Sequence, residues 1–222
     1  MPDAEKPPAK IPFTATSHYG ILFALILLLA IGALIVYQRS GPTVHAIDGS
    51  TMGSTWSVRF TAPAHADVNA VRTQLEQLLA ELDLALSGYR EDSALARLNT
   101  APVGQWIEIP HHLTNVLLFG LELWRESGGA FDMTVKPLVS LWGFGAAQPR
   151  YSVPAEAEIA AALARIGSDR LELAADGCCA RRRSDINVDV DGIAPGYAAG
   201  VLSSWLTLHG FPNHLVEVGG EM

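Results

Sequence analysis

Between residues 18 and 38 the chain carries no Asp, Glu, Lys or Arg, and residues 20–36 read GILFALILLLAIGALIV. At about 1.5 Å of rise per residue, a helix over this run spans a hydrocarbon layer of roughly 30 Å. Tyr19 and Tyr37 flank it, where a ring can bury while its hydroxyl stays wet. The expectation is one transmembrane helix over 19–38, behind a cytoplasmic tail over 1–18 and before a linker over 39–46. Lys6 and Lys10 precede the run and Arg39 follows it. That slight basic bias places the N-terminus in the cytoplasm and the rest on the periplasmic side of a single-pass inner-membrane protein. A cleavable signal peptide is the alternative, with Val44-His45-Ala46 as a loose cleavage site.

The remaining composition excludes several classes. Of 222 residues, 49% are hydrophobic and 17% charged, too apolar for a disordered chain and too charged for a polytopic membrane protein. Fifteen basic residues stand against 23 acidic ones, and of these only 12 basic but 21 acidic lie after Ser40. Lys136 is the one lysine in that part. A nucleic-acid partner is not expected, because a phosphate backbone calls for clustered Lys and Arg. The two cysteines, adjacent at Cys178 and Cys179, make neither a disulfide scaffold nor a four-cysteine zinc site. They read as free thiols in a hairpin, with a vicinal disulfide as the rival. Arg181, Arg182 and Arg183 read as an anion site or as a hairpin arm alternating in and out.

Residues 55–61 alternate as a strand does. Asp67 is the expected N-cap of a helix to about residue 86, with the apolar stripe Val71, Leu75, Leu78 and Leu82. A helical turn over 92–98, a short strand over 106–109 and a helix over 112–126 follow, the last closed by Gly128 and Gly129. A helix over 154–165 precedes strands over 170–174 and 185–190, joined by a hairpin containing Asp176-Gly177. A last helix over 196–209 leads to a strand over 215–218. Irregular alternation with hairpins gives an α+β fold.

Four segments can carry chemistry. In 189–196, DVDGIAPG, two carboxylates and a glycine turn precede a helix start. Such a turn offers backbone N–H groups to a phosphate, and its carboxylates and carbonyls suit Mg²⁺. An aspartate-capped strand-to-helix turn accounts for the same residues. Segment 127–137, SGGAFDMTVKP, can wall a planar ligand or cap a helix over a buried Phe131. Segment 51–56, TMGSTW, and segment 87–89, SGY, suit phosphate or ring contacts and ordinary turns alike. His111 and His112, being adjacent, point to different helix faces. The seven histidines show no metal-ligand spacing, and no Walker A, G-x-S-x-G or H-E-x-x-H pattern occurs.

In order along the chain, TMGSTW at 51–56, SGYR at 87–90, SGGAFDMTV at 127–135, PLVSLWGFG at 137–145, DVDGIAPGYA at 189–198 and VGGE at 218–221 resemble the ApbE family. The resemblance covers residues 47–222. It implies a T-fold-like α+β domain and an exported, Mg²⁺-dependent FAD:protein FMN transferase. Such an enzyme splits FAD, releases AMP and joins FMN through a phosphoester to a Thr or Ser of an acceptor flavoprotein, typically a subunit of a membrane electron-transfer complex. Carried over by motif, Met52, Tyr89, Ala130, Phe131, Asp132, Asp189 and Pro195 match FAD-binding positions. Gly192 matches a position whose carbonyl meets the metal. At Pro195 the family often has Lys or Glu, and proline can offer only its ring and carbonyl.

Family members continue beyond the Gly-Gly-Glu turn to a His-x-x-Asp-Pro-x-Thr-Gly-like stretch and an Asp…Thr metal motif. The chain is therefore expected to be a C-terminally truncated representative, with its flavin-facing half present and most metal ligands missing. A non-catalytic periplasmic FAD-binding protein and an FAD pyrophosphatase are the alternatives.

Overall fold

The structure, a computed structural model, describes residues 15–39, 41–144 and 152–222. The expected tail over 1–18 lies almost wholly outside them. The chain divides into two compact units. One comprises Met1–Thr43 with Ala62–Ala66, the other Val44–Thr61 with Asp67–Met222.

In the first unit, helix α1 (Ala15–Arg39) covers the apolar run. Its described side chains point to solvent, Phe23 at 69% and Leu29 at 72% exposure among them. Among the described residues no helix is long and apolar enough to cross a membrane. The side chains of residues 15–18, 35 and 37–39 are outside the description, so the expected span over 19–38 is only partly covered by it.

The second unit takes residues 44–51 of β1 (Pro42–Thr51) and residues 54–61 of β2 (Ser54–Pro63), which form a hairpin. Strand β1 starts inside the stretch expected to be a linker over 39–46. Its mostly exposed, polar sequence gives no strong strand signal, and Ile47 is its buried anchor at 2% exposure. The turn sets Met52 at φ 48° and Gly53 at φ 73°, as a two-residue hairpin with left-handed central positions requires. Helix α2 (Val68–Leu86) is capped as expected, Asp67 Oδ1 accepting from Ala70 N–H at 3.0 Å. Its buried stripe is Val71, Leu75, Leu79, Leu82 and Leu86; Leu79 takes the place expected of Leu78.

Ser93 caps α3 (Ala94–Thr100) and also donates to Ser87 O at 2.6 Å, tying the two helix ends together. Strand β3 (Ile107–Glu108) leads into α4 (His111–Glu126), after which Gly128 and Gly129 both take positive φ. A short helix, α5 (Lys136–Leu141), was not expected from sequence. Next come α6 (Glu156–Leu163), β4 (Leu171–Leu173), β5 (Cys179–Arg182), α7 (Ala194–Leu208) and β6 (His214–Val218).

Among the described residues two three-stranded sheets result, in the orders β1-β2-β6 and β3-β5-β4. Strand β6 runs antiparallel to β2, with Trp56 opposite Val218 and Phe60 opposite His214. Helix α7 packs on β6 and on α2, and α2 also meets α3 and α4. The core side chains Trp56, Leu75, Leu82, Leu117, Ala198 and Leu202 fill these layers. Antiparallel pairing with segregated helices is the α+β arrangement expected.

Residues 185–190 correct the expectation in detail. They form no strand, and the hairpin partner of β4 is β5 instead. The alternation is real, since Ile186, Val188 and Val190 are buried. Their backbone is satisfied differently: Asn99 brackets Val188, its Oδ1 accepting from the N–H and its Nδ2 donating to the carbonyl, both at 2.8 Å. Asp189 N–H donates to Met133 O at 2.7 Å. A side chain and a loop carbonyl thus do the work of a neighbouring strand and aim Asp189 out of the core.

The three arginines alternate as a hairpin arm does. Arg182 is buried and donates to Ala101 O and Ile186 O. Arg181 turns outward, 2.8 Å from Glu172 and stacked over Trp106. Cys178 and Cys179 are free thiols with sulfurs 3.1 Å apart.

Candidate functional site

The site is set by the end of α2, the hairpin turn before β2 and the turn that starts α7. Leu86 ends the buried stripe of α2, and Ser87 leaves the helix at ψ 124°. Its Oγ accepts from Tyr89 N–H and Arg90 N–H, both at 3.3 Å, which shapes the loop that presents Tyr89. The Tyr89 hydroxyl donates to Asp191 Oδ2 at 3.1 Å. Asp189 Oδ1 accepts from Asp191 N–H at 3.0 Å, so the two carboxylates share one turn. Pro195 lies in the first turn of α7, where no N–H is needed. Gly219 passes so close that a Cβ there would lie 3.3 Å from the proline Cβ.

These elements enclose a cavity of about 140 Å³ lined by Met52, Leu86, Tyr89, Asp191 and Pro195. Three carried-over residues from three distant segments therefore meet in one place. A second cavity, about 460 Å³, is lined by Val116, Phe119, Gly192, Tyr197 and Glu221. Phe131 stands next to this turn: a Cβ on Gly192 would lie 3.7 Å from its ring. Phe131 N–H donates to Ser127 Oγ at 3.0 Å, and Ala130 beside it is exposed.

Asp132 has a different occupation. Its Oδ1 accepts from Thr134 N–H, Thr134 Oγ1–H and Ser168 Oγ–H at 2.7, 2.6 and 2.7 Å, and its Oδ2 from Ser168 N–H at 3.1 Å. Thr134 and Ser168 are fully buried. The carboxylate clasps the loop after α4 to the turn Ser168–Arg170 and so holds Ala130 and Phe131 in place.

The electrostatics follow from this crowding. Although Asp191 is exposed as a residue, enclosure of its carboxyl raises its pKa, and the Asp189 charge raises it further; Tyr89 and Lys136 oppose both. The Tyr89 phenol is raised as well, first by the Asp191 charge and then by the hydrogen bond to it. Lys136 Nζ lies 3.7 Å from Asp189 Oδ2. Nearby, the Tyr197 hydroxyl lies 2.9 Å from His112 Nδ1 and 3.1 Å from Asn115 Nδ2. Burial first, then the neighbouring His111, lowers the His112 pKa. Contrary to expectation, the His111 and His112 rings do not diverge; their centroids are 3.8 Å apart.

The donor set suits one edge of a nucleotide ligand: apolar Met52 and Pro195, the Tyr89 ring, and Gly219, where a Cβ would press on Pro195. It does not make a Mg²⁺ cage. No group of three or more His, Cys, Asp or Glu side chains converges among the described residues, and Asp189 and Asp191 already face Lys136 and Tyr89. Asp191 and Lys136 were not among the carried-over residues. Asp191 was visible only as the second carboxylate of its turn, and Lys136 only as a lone lysine.

The ApbE family model matches residues 52–222, and the chain belongs to the ApbE family. An FAD:protein FMN transferase of Vibrio cholerae is 31% identical over 199 residues, which are 88% of this chain and 59% of that protein. One of Salmonella typhimurium is 30% identical over 205 residues, 90% of this chain and 58% of the other. The crystal structure of the Pseudomonas stutzeri flavinyl transferase ApbE in its apo form superposes with a TM-score of 0.73 at 33% identity, over 81% of this chain and 60% of that one. The Vibrio cholerae flavin transferase ApbE superposes at 0.75 and 30% identity, over 81% and 58%. The chain thus spans somewhat less than two thirds of the relatives it matches.

Proposed function

We propose that this chain carries the flavin-facing portion of an FAD:protein FMN transferase. The observation that carries the reading is the meeting of Met52, Tyr89 and Pro195 around one cavity beside Asp191, with Phe131 against Gly192. In the reaction the hydroxyl oxygen of an acceptor Thr or Ser attacks the phosphorus of the FMN half of FAD. A new P–O bond forms, the bond to the AMP phosphate oxygen breaks, AMP leaves, and the hydroxyl proton passes to solvent. Met52, Tyr89, Phe131 and Pro195 hold the flavin nucleotide, Asp132 braces the loop carrying Phe131, and Asp189 and Asp191 edge its phosphates.

Mg²⁺ dependence, with Gly192 O as one ligand, rests on the family resemblance. The acceptor is an exported or membrane flavoprotein, a subunit of a membrane electron-transfer complex. Support for the extracytoplasmic side comes from the sequence: the charge-free residues 18–38 suit a single-pass inner-membrane anchor, and Lys6 and Lys10 before them favour a cytoplasmic N-terminus.

The test is a titration of the full chain with FAD, followed by incubation with Mg²⁺ and a flavin-acceptor domain. Quenching of FAD fluorescence, AMP release and in-gel flavin fluorescence of the acceptor are expected. Quenching without AMP marks a binding protein, AMP without acceptor labelling marks a pyrophosphatase, and no quenching refutes the flavin site. Sedimentation with membranes, resistant to carbonate extraction, tests the anchor; a soluble product cleaved near Ala46 would refute it.

A further inference from the structure

We propose that Lys136 is a positioning residue for the diphosphate of the bound flavin nucleotide, supplying the positive charge that lets it sit beside Asp189 and Asp191. The inference rests on the flavin reading above. Two carboxylates on one turn repel a diphosphate, so a ligand of that class needs a cation at the same place. Lys136 starts α5 and holds its Nζ 3.7 Å from Asp189 Oδ2. A Cβ on Gly88 would lie 3.7 Å from the same Nζ, which puts the ammonium at the loop that also presents Tyr89. Lys136 thus stands between the two segments whose side chains, Tyr89 and Asp191, line the smaller cavity.

The neighbouring Arg90 is occupied elsewhere, pairing with Asp92 at 2.7 Å and with Asp83 at 3.2 Å. The Lys136 side chain keeps 37% exposure, and at 3.7 Å its contact with Asp189 is too long for a tight hydrogen-bonded pair. It can therefore turn toward a phosphate oxygen while still facing the carboxylate. A long aliphatic stem with a point charge suits this, since no fixed fork geometry is imposed.

The experiment compares the full wild-type chain with Lys136→Met and Lys136→Arg, each titrated with FAD and with riboflavin in EDTA, by fluorescence. Lys136→Met is expected to weaken FAD binding roughly fivefold at low salt, and by less as salt screens the charge. Riboflavin, which has no phosphate, is expected to change less than twofold, and Lys136→Arg to keep FAD affinity within about twofold of wild type. Equal FAD affinity for wild type and Lys136→Met overturns the inference and leaves the flavin site standing. An equal loss of FAD and riboflavin also overturns it, because the lysine would then act on the flavin pocket as a whole. A wild-type chain that binds neither ligand overturns the flavin reading, and this inference with it.

Discussion

Tyr89 and Asp191, joined by a 3.1 Å hydrogen bond, tie the loop after α2 to the turn before α7. The phenol donates to a charged acceptor, so losing its proton would place two negative groups in contact. Its titration midpoint is therefore expected above the ordinary value of 10. The raised pKa means that this bond stabilises the fold below pH 10 and stops doing so as the pH climbs through the shifted value. Phenolate absorbance, taken as the difference between wild type and Tyr89→Phe, should show the late midpoint. Asp191→Asn should return it toward 10, and an unchanged midpoint would remove the electrostatic account. For Asp191 itself the sign is opposite to that of a salt-bridged carboxylate: its raised pKa makes stability fall as pH rises from the usual carboxylate range through the shifted value.

Asp132 is a carried-over FAD-binding position whose carboxylate is fully used by Thr134 and Ser168. Removing it strands buried donors on both residues. Asp132→Ala is expected to cost about 2–3 kcal/mol of stability. If the carboxylate instead served the ligand alone, urea unfolding of the flavin-free variant would match wild type. Any loss of FAD affinity is expected to follow from the loosened Phe131 loop and to shrink as temperature is lowered.

Asn99 replaces a neighbouring strand for Val188, with two 2.8 Å bonds to its backbone. Asn99→Ala leaves both groups of a buried residue without that partner, at a cost of about 2 kcal/mol. Asn99→Asp should recover the bond to the N–H but not the bond to the carbonyl, and should fall between the two in chemical denaturation. Identical midpoints for wild type and Asn99→Ala would show that water takes over the bracket.

That bracket also explains which parts of the fold the sequence could reveal. Period-two burial in residues 185–190 was legible, because it depends on side chains alone; the identity of the hydrogen-bonding partner was not, because Asn99 lies far away in the chain. Helix α2 announced itself through the Asp67 cap and its stripe, yet 3.6-residue geometry and the packing of α3, α4 and α7 chose Leu79 over Leu78. Strand β1 stayed hidden because a largely exposed strand needs little apolar patterning. Motif order brought Met52, Tyr89 and Pro195 to one site. The roles of Asp191 and Lys136 come from pairings across the fold, which leave no local trace.

Cys178 is exposed, yet its thiol is pushed up to about 12, first by the hydrogen bond with Cys179 and then by Asp176. A raised pKa leaves little thiolate near neutrality, and thiolate is the reacting form. The higher intrinsic nucleophilicity of a more basic sulfur offsets only part of that loss. Alkylation by iodoacetamide at pH 8, followed by intact mass, should therefore be slower at Cys178 than at an unstructured cysteine of equal exposure. Cys179→Ala removes the leading cause and is expected to speed the reaction at Cys178. A Cys178 that alkylates at the unstructured rate in the wild-type chain would show that the two thiols do not hold each other in this geometry in solution.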